Sequence, residues 1–363
     1  MGWEGTLLLL SDLAFVHYSD FVYEMDPGLD VPGTHAAFNC GHTAAARVQA
    51  GNGEQGVRML KLPAYVVITP ARNEGQFIEL TIQSVTAQTV LPLRWVIVSD
   101  GSTDDTDAIV RKYADRHEWI ELLCMPERRE RHFAGKVYAF NAGLERVKNL
   151  PYEVIAGLDA DITFEESYFA FLLQKLAADS GLGLVGTPFL DTDTNGTYDY
   201  RFVSIEHVSG ACQVFRRECF EDIGGYTPVK GGAIDNIAVI MARMKGWQTR
   251  TFTEKICLHH RLIGTAQTGF MAARFRSGGK DYAIGNHPVW ELFRSMYQMT
   301  KKPFFLGGVA LGAGYFWSFV RRQKRPVSRE LVAFHQSEQM QRLRKMLIRI
   351  LSFGTATELR RTQ

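Results

Sequence analysis

The chain lacks the cysteine arrangement of a disulfide scaffold. Its five cysteines, Cys40, Cys124, Cys212, Cys219 and Cys257, are odd in number, widely spaced and free of any Cys-x-x-Cys pair. That disfavours a zinc site as well as a disulfide framework and suits a reducing compartment. Net charge is nearly absent too. With 41 basic against 39 acidic residues, nothing global selects nucleic acid as a partner. No internal repeat is visible. The apolar run Leu7–Leu10 lies between Glu4 and Asp12 with no basic stretch before it, which makes it a poor signal peptide. At 363 residues there is room for one large α/β domain with appendages, or for two modest domains.

What is present divides into three parts. Residues 1–62 have poor periodicity and carry stretches such as Gly-Asn-Gly-Glu-Gln-Gly at 51–56, so a poorly structured N-terminal extension is expected. From Tyr65 the pattern sharpens. Residues 65–69 read as a strand, 75–88 as a helix, 94–98 as a second strand ending in Ser99-Asp100-Gly101-Ser102, and Thr103-Asp-Asp-Thr as the opening of the next helix. A strand at 119–123, a helix at about 135–147 and a strand ending at Asp159 continue the alternation. A helix at 164–179, a strand at 182–187 and a mixed α/β half to about 263 follow. Strand, turn and helix at this spacing predict βαβ units and a mostly parallel sheet flanked by helices, over residues 63–265. Residues 266–363 form a helical tail. In it, Pro303–Val320 is uncharged and lies between Lys301-Lys302 and Arg321-Arg322, and 340–351 alternates basic with apolar residues.

The most informative stretch is Val-Ile-Ala-Gly-Leu-Asp-Ala-Asp at 154–161. An apolar run ending in two carboxylates reads as a buried parallel strand whose carboxyl end opens into the crevice where α/β sheets bind ligands. Asp159 and Asp161 can there hold a hard divalent cation bridging to a phosphorylated substrate. Pro70-Ala-Arg-Asn-Glu and Asp100-Gly-Ser end two other strands on the same edge, and Lys136 at a helix start can add positive charge. Two other patterns are decoys. Gly181-x-Gly183-x-x-Gly186 sits inside a strand rather than between strand and helix, and Gly135-Lys136 lacks the glycine a phosphate loop needs at 130, where Glu stands.

In this order the motifs resemble family 2 glycosyltransferases with the nucleotide-sugar-binding fold called GT-A. They are Val-Ile-Thr-Pro-Ala-Arg-Asn-Glu, Val-Ser-Asp-Gly-Ser-Thr-Asp, Gly-Lys-Val-Tyr-Ala-Phe-Asn-Ala-Gly-Leu, Leu-Asp-Ala-Asp, Arg216-Arg-Glu-Cys-Phe-Glu-Asp-Ile-Gly-Gly-Tyr and Asp235 ahead of Gly246-Trp247. The resemblance implies that Pro70, Arg72, Glu74 and Asp100 surround the nucleotide. It also implies that Asp159 and Asp161 engage ribose, metal (Mn2+ or Mg2+) and diphosphate, and that Asp235 is the base of an inverting transfer from a UDP- or GDP-sugar to a hydroxyl acceptor, with lipid-linked acceptors included. The pattern departs in three places. Ser99 stands where an Asp is frequent, Ile234 precedes the base where a second acid is usual, and no Gln-x-x-Arg-Trp follows the base helix. His259-His260-Arg261 occupies that region, where His259 is a candidate metal ligand and Arg261 a candidate diphosphate ligand. Two rivals stay open: a nucleotidyltransferase on a similar sheet, and a non-catalytic sugar-nucleotide-binding relative. The tail predicts attachment to the cytoplasmic face of the cell membrane, peripheral or re-entrant, through the apolar segment and the basic residues beside it.

Overall fold

A computed structural model describes residues 61–127, 132–192, 204–260, 269–301 and 304–361. The expected N-terminal extension, but for its last two residues, and Arg261 lie outside them. Residues Met59–Leu343 form one compact unit. The end of the last helix, from Arg344 on, falls outside that unit.

Seven strands make the main sheet: β1 (Tyr65–Ala71), β2 (Arg94–Asp100), β3 (Ile120–Met125), β4 (Val154–Leu158), β6 (Leu182–Gly186), β8 (Cys212–Arg216) and β9 (Gln248–Thr251). Their order is β3-β2-β1-β4-β8-β6-β9, parallel throughout except that β8 runs antiparallel to both β4 and β6. The expected α/β class with a mostly parallel sheet holds. Strands β1 and β4 are buried almost end to end, which is why they read as continuous apolar runs.

Alternation along the strands sorts their side chains between two faces. Tyr65, Val67, Trp95, Ile97, Val154 and Ala156 face one layer, with α1 (Ile78–Thr86), α2 (Thr106–Ala114) and α4 (Tyr168–Ala178). Val66, Ile68, Val96, Val98 and Ile155 face the other, with α3 (Ala134–Val147), α5 (Arg217–Asp222) and α6 (Ile234–Met244). The order makes β1 the turning point. The chain winds from β1 outward through β2 to β3, then returns to place β4 on the far side of β1, and ligand crevices form at such reversals.

A second, three-stranded sheet joins β5 (Ile162–Thr163), β10 (Cys257–His259) and β7 (Phe189–Asp191) in the order β5-β10-β7. Its register sets His259 opposite both Ile162 and Asp191. The decoy glycines lie where expected, in and beside β6, with Gly183 against Cys219 and Trp247.

Beyond the sheet come α7 (Phe270–Ile284), α8 (Pro288–Met299), α9 (Leu306–Val320) and α10 (Arg329–Arg361). Helices α7 and α9 cross at two glycines: a Cβ on Gly278 would overlap the Leu311 carbonyl, and one on Gly314 the Phe275 carbonyl. Small residues allow this close approach. Helix α10 is fixed to α6 by a two-pronged pair, Arg243 Nε to Glu338 Oε1 at 2.8 Å and Nη2 to Oε2 at 2.9 Å. Leu331 packs with Ile237, Ile240 and Ile284 in the same contact. The helices from residue 269 as far as Leu343 therefore belong to the same compact unit as the sheet.

Candidate active site

Two strand-end turns build the first wall. Asn73 follows β1 with φ +55°, a left-handed conformation that Asn tolerates because its side chain bonds locally. Its backbone N–H donates to Ser102 Oγ at 3.1 Å, and its Oδ1 accepts from the Thr103 N–H at 2.8 Å. Glu74 N–H donates to Thr106 Oγ1 at 2.8 Å and Gly75 N–H to Asp104 Oδ2 at 2.9 Å. Burial would raise the Asp104 carboxyl, but bonds from Thr106 and Gly75 outweigh it and hold it below the usual range. This lacing keeps Pro70, Arg72 and Glu74 beside the end of β2. There Arg72 approaches the buried Asp100 carboxylate at 3.9 Å. Sequence reasoning named these four residues but not the Asn73, Ser102 and Asp104 bonds that hold the turn.

The second wall is the Asp159-Ala160-Asp161 turn between β4 and β5. Asp159 N–H donates to the Ala211 carbonyl at 3.0 Å, Thr81 Oγ1 donates to the Ala160 carbonyl at 2.8 Å, and His260 N–H donates to the Asp161 carbonyl at 3.0 Å. With its backbone pinned from three directions, the turn presents two carboxylates at fixed positions. Lys136, from the first turn of α3, forms an ion pair with Asp159 Oδ1. Burial opposes the charge on Lys136, yet Asp159, then Asp235 and Asp161, raise its pKa above that of an ordinary lysine. Burial first, and the neighbouring Asp161, push the Asp159 carboxyl up, while Lys136 pulls it back. Lys136 thus contacts Asp159 and feels the charges of Asp235 and Asp161 as well. The Lys136 side chain makes this pair while 42% exposed.

Asp235 sits in the first turn of α6, which the chain enters through Gly232 (φ +94°) and Ala233 (φ +64°). A left-handed alanine costs roughly 1–2 kcal/mol, so the entry to this helix is held strained by its surroundings. Gly210 leaves the space that Asp235 fills: a Cβ there would lie 3.0 Å from both the Asp235 Cβ and its Oδ2. Beneath it, Tyr226 Oη donates to Gln213 Oε1 at 2.9 Å, and Gln213 Nε2 donates to the Val208 carbonyl at 3.1 Å and the Asp235 carbonyl at 3.3 Å. Ile234, where a second acid was looked for, is a buried core residue. The titratable group that interacts with Asp235 is instead His207, whose pKa lies below the usual value, chiefly through burial, although Asp235 pulls it up. Gly210, Gln213 and His207 carry no motif by which the sequence alone marks them, whereas Tyr226 closes the motif that begins at Arg216.

The third element is the small sheet. His259 Nε2 lies 3.5 Å from Asp161 Oδ2, and its Nδ1 lies 2.7 Å from Asp191 Oδ1. Burial works against a charged ring, but bonds and charge from Asp161 and Asp191 raise its pKa overall. His260 points elsewhere, its Nε2 2.8 Å from Thr163 Oγ1. The His259 imidazole thus faces the Asp161 carboxylate, whereas His260 meets Asp161 through its backbone N–H. Among the described residues no three His, Cys, Asp or Glu side chains close on a single point as a metal cage.

Residues 66–224 match the family model described as glycosyl transferase family 2. The chain is 26% identical over 221 residues to a probable glycosyltransferase, YdaM, of Bacillus subtilis, covering 54% of this chain and 51% of that protein. It is 32% identical over 149 residues to the putative teichuronic acid biosynthesis glycosyltransferase TuaG of the same organism, covering 38% and 56% respectively. A poly-beta-1,6-N-acetyl-D-glucosamine synthase of Staphylococcus aureus is 22% identical over 191 residues, or 48% of this chain and 44% of the synthase. The chain thus spans about half the length of the curated relatives it matches. Among solved structures, the mannosyltransferase PcManGT of Pyrobaculum calidifontis, in complex with GDP-Man and Mn2+, aligns with TM-score 0.48 and 21% identity over 82% of this chain and 81% of its own. The likeness to glycosyl transferase family 2 thus runs through residues 66–224, the part of the chain that carries the main sheet up to α5.

Proposed function

We propose that this protein is an inverting glycosyltransferase that moves a sugar from a nucleoside-diphosphate sugar to a hydroxyl acceptor. The observation that carries the reading is the Lys136–Asp159 ion pair, with the charges of Asp161 and Asp235 acting on the same ammonium, at the sheet edge where the strand order reverses. Arg72 and Asp100, with Pro70 and Glu74 on the same turn, supply hydrogen-bonding and packing groups for the nucleotide. Lys136 and Asp159 lie where diphosphate and ribose must pass. Asp235 accepts the proton of the acceptor hydroxyl as its oxygen bonds to the anomeric carbon. The bond from that carbon to the diphosphate oxygen breaks on the opposite face, and the electron pair leaves with the diphosphate.

Mn2+ or Mg2+ fits the donor set. Two ligands each ~2.1 Å from one cation stand ~3.0–3.5 Å apart, and Asp161 Oδ2 and His259 Nε2 are 3.5 Å apart. Diphosphate oxygens and water would complete the shell, and the bound cation would offset charge developing on the leaving group. In the test, the protein is incubated with a panel of UDP- and GDP-sugars and either metal. Release of nucleoside diphosphate together with a glycosylated acceptor supports the reading. Pyrophosphate release would make the protein a nucleotidyltransferase, and donor binding without turnover a sugar-nucleotide-binding relative.

Relatives named for teichuronic acid and poly-N-acetylglucosamine synthesis support an envelope-polysaccharide or glycolipid acceptor. The tail supports placing the protein on the cytoplasmic face of the membrane. No helix among the described residues is long and apolar enough to cross. Helix α9 instead buries Gly307, Gly308, Leu311 and Tyr315 and exposes Leu306, Val309, Trp317 and Val320, the last at 75%. Arg321, Arg322 and Lys324 follow at once, in the pattern of a helix lying in an anionic interface. Cutting the chain at Lys302 would not test this cleanly, because it also removes Leu331 and Glu338 from their contacts with α6. The clean test is Trp317→Glu with Val320→Asp. Intact protein should sediment with anionic vesicles and the double variant should stay in solution at equal melting temperature. Equal sedimentation of the two would remove α9 from the contact.

A further inference from the structure

We propose that Asp191 is the positioning residue that aims His259 at the cation site; this rests on the reading above in which Asp161 and His259 hold that cation. A neutral imidazole offers one lone pair, so Nε2 can bind a cation only if the ring's proton stays on Nδ1, and a carboxylate accepting from Nδ1–H enforces that choice. Asp191 is so placed: its Oδ1 is 2.7 Å from Nδ1, while Nε2 on the far side of the ring faces Asp161 Oδ2 at 3.5 Å.

Three further contacts make this placement a built one. The register of β7 with β10 sets Asp191 directly opposite His259. The Thr192 N–H donates to the His259 carbonyl at 3.1 Å, tying the residue after Asp191 to the histidine's own backbone. Phe189, two residues back on the same strand face, meets the imidazole edge to face at 6.0 Å and limits its rotation. Asp191 itself is 8% exposed, and a carboxylate buried to that degree needs a partner to offset its desolvation. The ring is therefore held by its Nδ1 side, and Nε2 is the nitrogen left to face the acidic turn.

The experiment measures Mn2+ affinity of the full chain by electron paramagnetic resonance, with MnCl2 alone and with MnCl2 plus UDP or GDP, for the unchanged protein, Asp191→Ala, Asp191→Asn and His259→Gln. Asp191→Ala should weaken Mn2+ binding by about 10–100-fold, the size of effect seen for carboxylates behind a ligating histidine. Asp191→Asn, which keeps an acceptor oxygen without the charge, should recover part of the loss, and melting temperatures should not follow the same order. If His259→Gln weakens Mn2+ and both Asp191 variants bind as the unchanged protein does, the positioning role is overturned while the cation site stands. If affinity falls only in step with melting temperature across the variants, Asp191 is structural and the proposal fails. If the unchanged protein binds no Mn2+ with either nucleotide, the cation reading falls and this inference with it.

Discussion

Asp235→Asn is expected to lower turnover by about a hundredfold or more, in line with the contribution of a general base, with the donor still bound at normal affinity. The substitution changes almost nothing else. Asparagine has nearly the same volume, so the clearance left by Gly210 is still filled. The Asp235 carbonyl that receives Gln213 Nε2 is backbone and unaffected. The strained entry through Gly232 and Ala233 keeps its shape because neighbouring contacts impose it. What disappears is the ability to take a proton, and one negative charge near Lys136. Release of nucleoside diphosphate at saturating donor and acceptor measures the first, and donor titration calorimetry the second. Near-normal turnover would move the role to another group, His207, which interacts with Asp235, being the first candidate.

Asp161→Ala is expected to abolish measurable turnover while lowering stability by only about 1 kcal/mol, the ordinary size for a single substitution. The structural cost is small for identifiable reasons. The backbone of the turn is pinned by Thr81, Ala211 and His260 through main-chain atoms that the substitution leaves in place. His259 keeps Asp191 as a partner, and Asp159 loses a like-charged neighbour that was pushing its carboxyl up. The functional cost is large because Asp161 is the carboxylate facing His259 Nε2, and Asp159, paired to Lys136, cannot occupy the same place. Thermal melting and turnover measured on one preparation decide the matter. A variant that unfolds would make Asp161 structural, and one that stays active would remove the metal–diphosphate role from it.

Much of the sheet was legible because burial on both faces leaves an unmistakable mark. The continuous apolar runs of β1, β2 and β4 each ended at a polar turn, and those turns carry Arg72, Asp100 and Asp159. The decoy glycines were rejected on context, and they sit within the strand region as context required. Less legible was the tail. An uncharged segment flanked by basic residues reads the same whether it meets lipid or protein. Here one side of it meets protein, because Gly278 and Gly314 let α7 and α9 cross in close contact.

By itself the sequence determined the alternating strand–helix order, the family pattern and the identity of the carboxylates at the strand ends. Each of these depends on residues near one another along the chain, where apolar periodicity and turn chemistry act. Only the tertiary structure decided which groups meet. Asp191 and His259 are brought side by side by the register of β7 and β10, Lys136 is drawn from a helix start onto Asp159, and Gly210 is emptied of a side chain so that Asp235 fits. Nothing in local spacing encodes a pairing across tens of residues. It arises when strands distant in sequence hydrogen-bond in one register, and that register follows from which faces can be buried together.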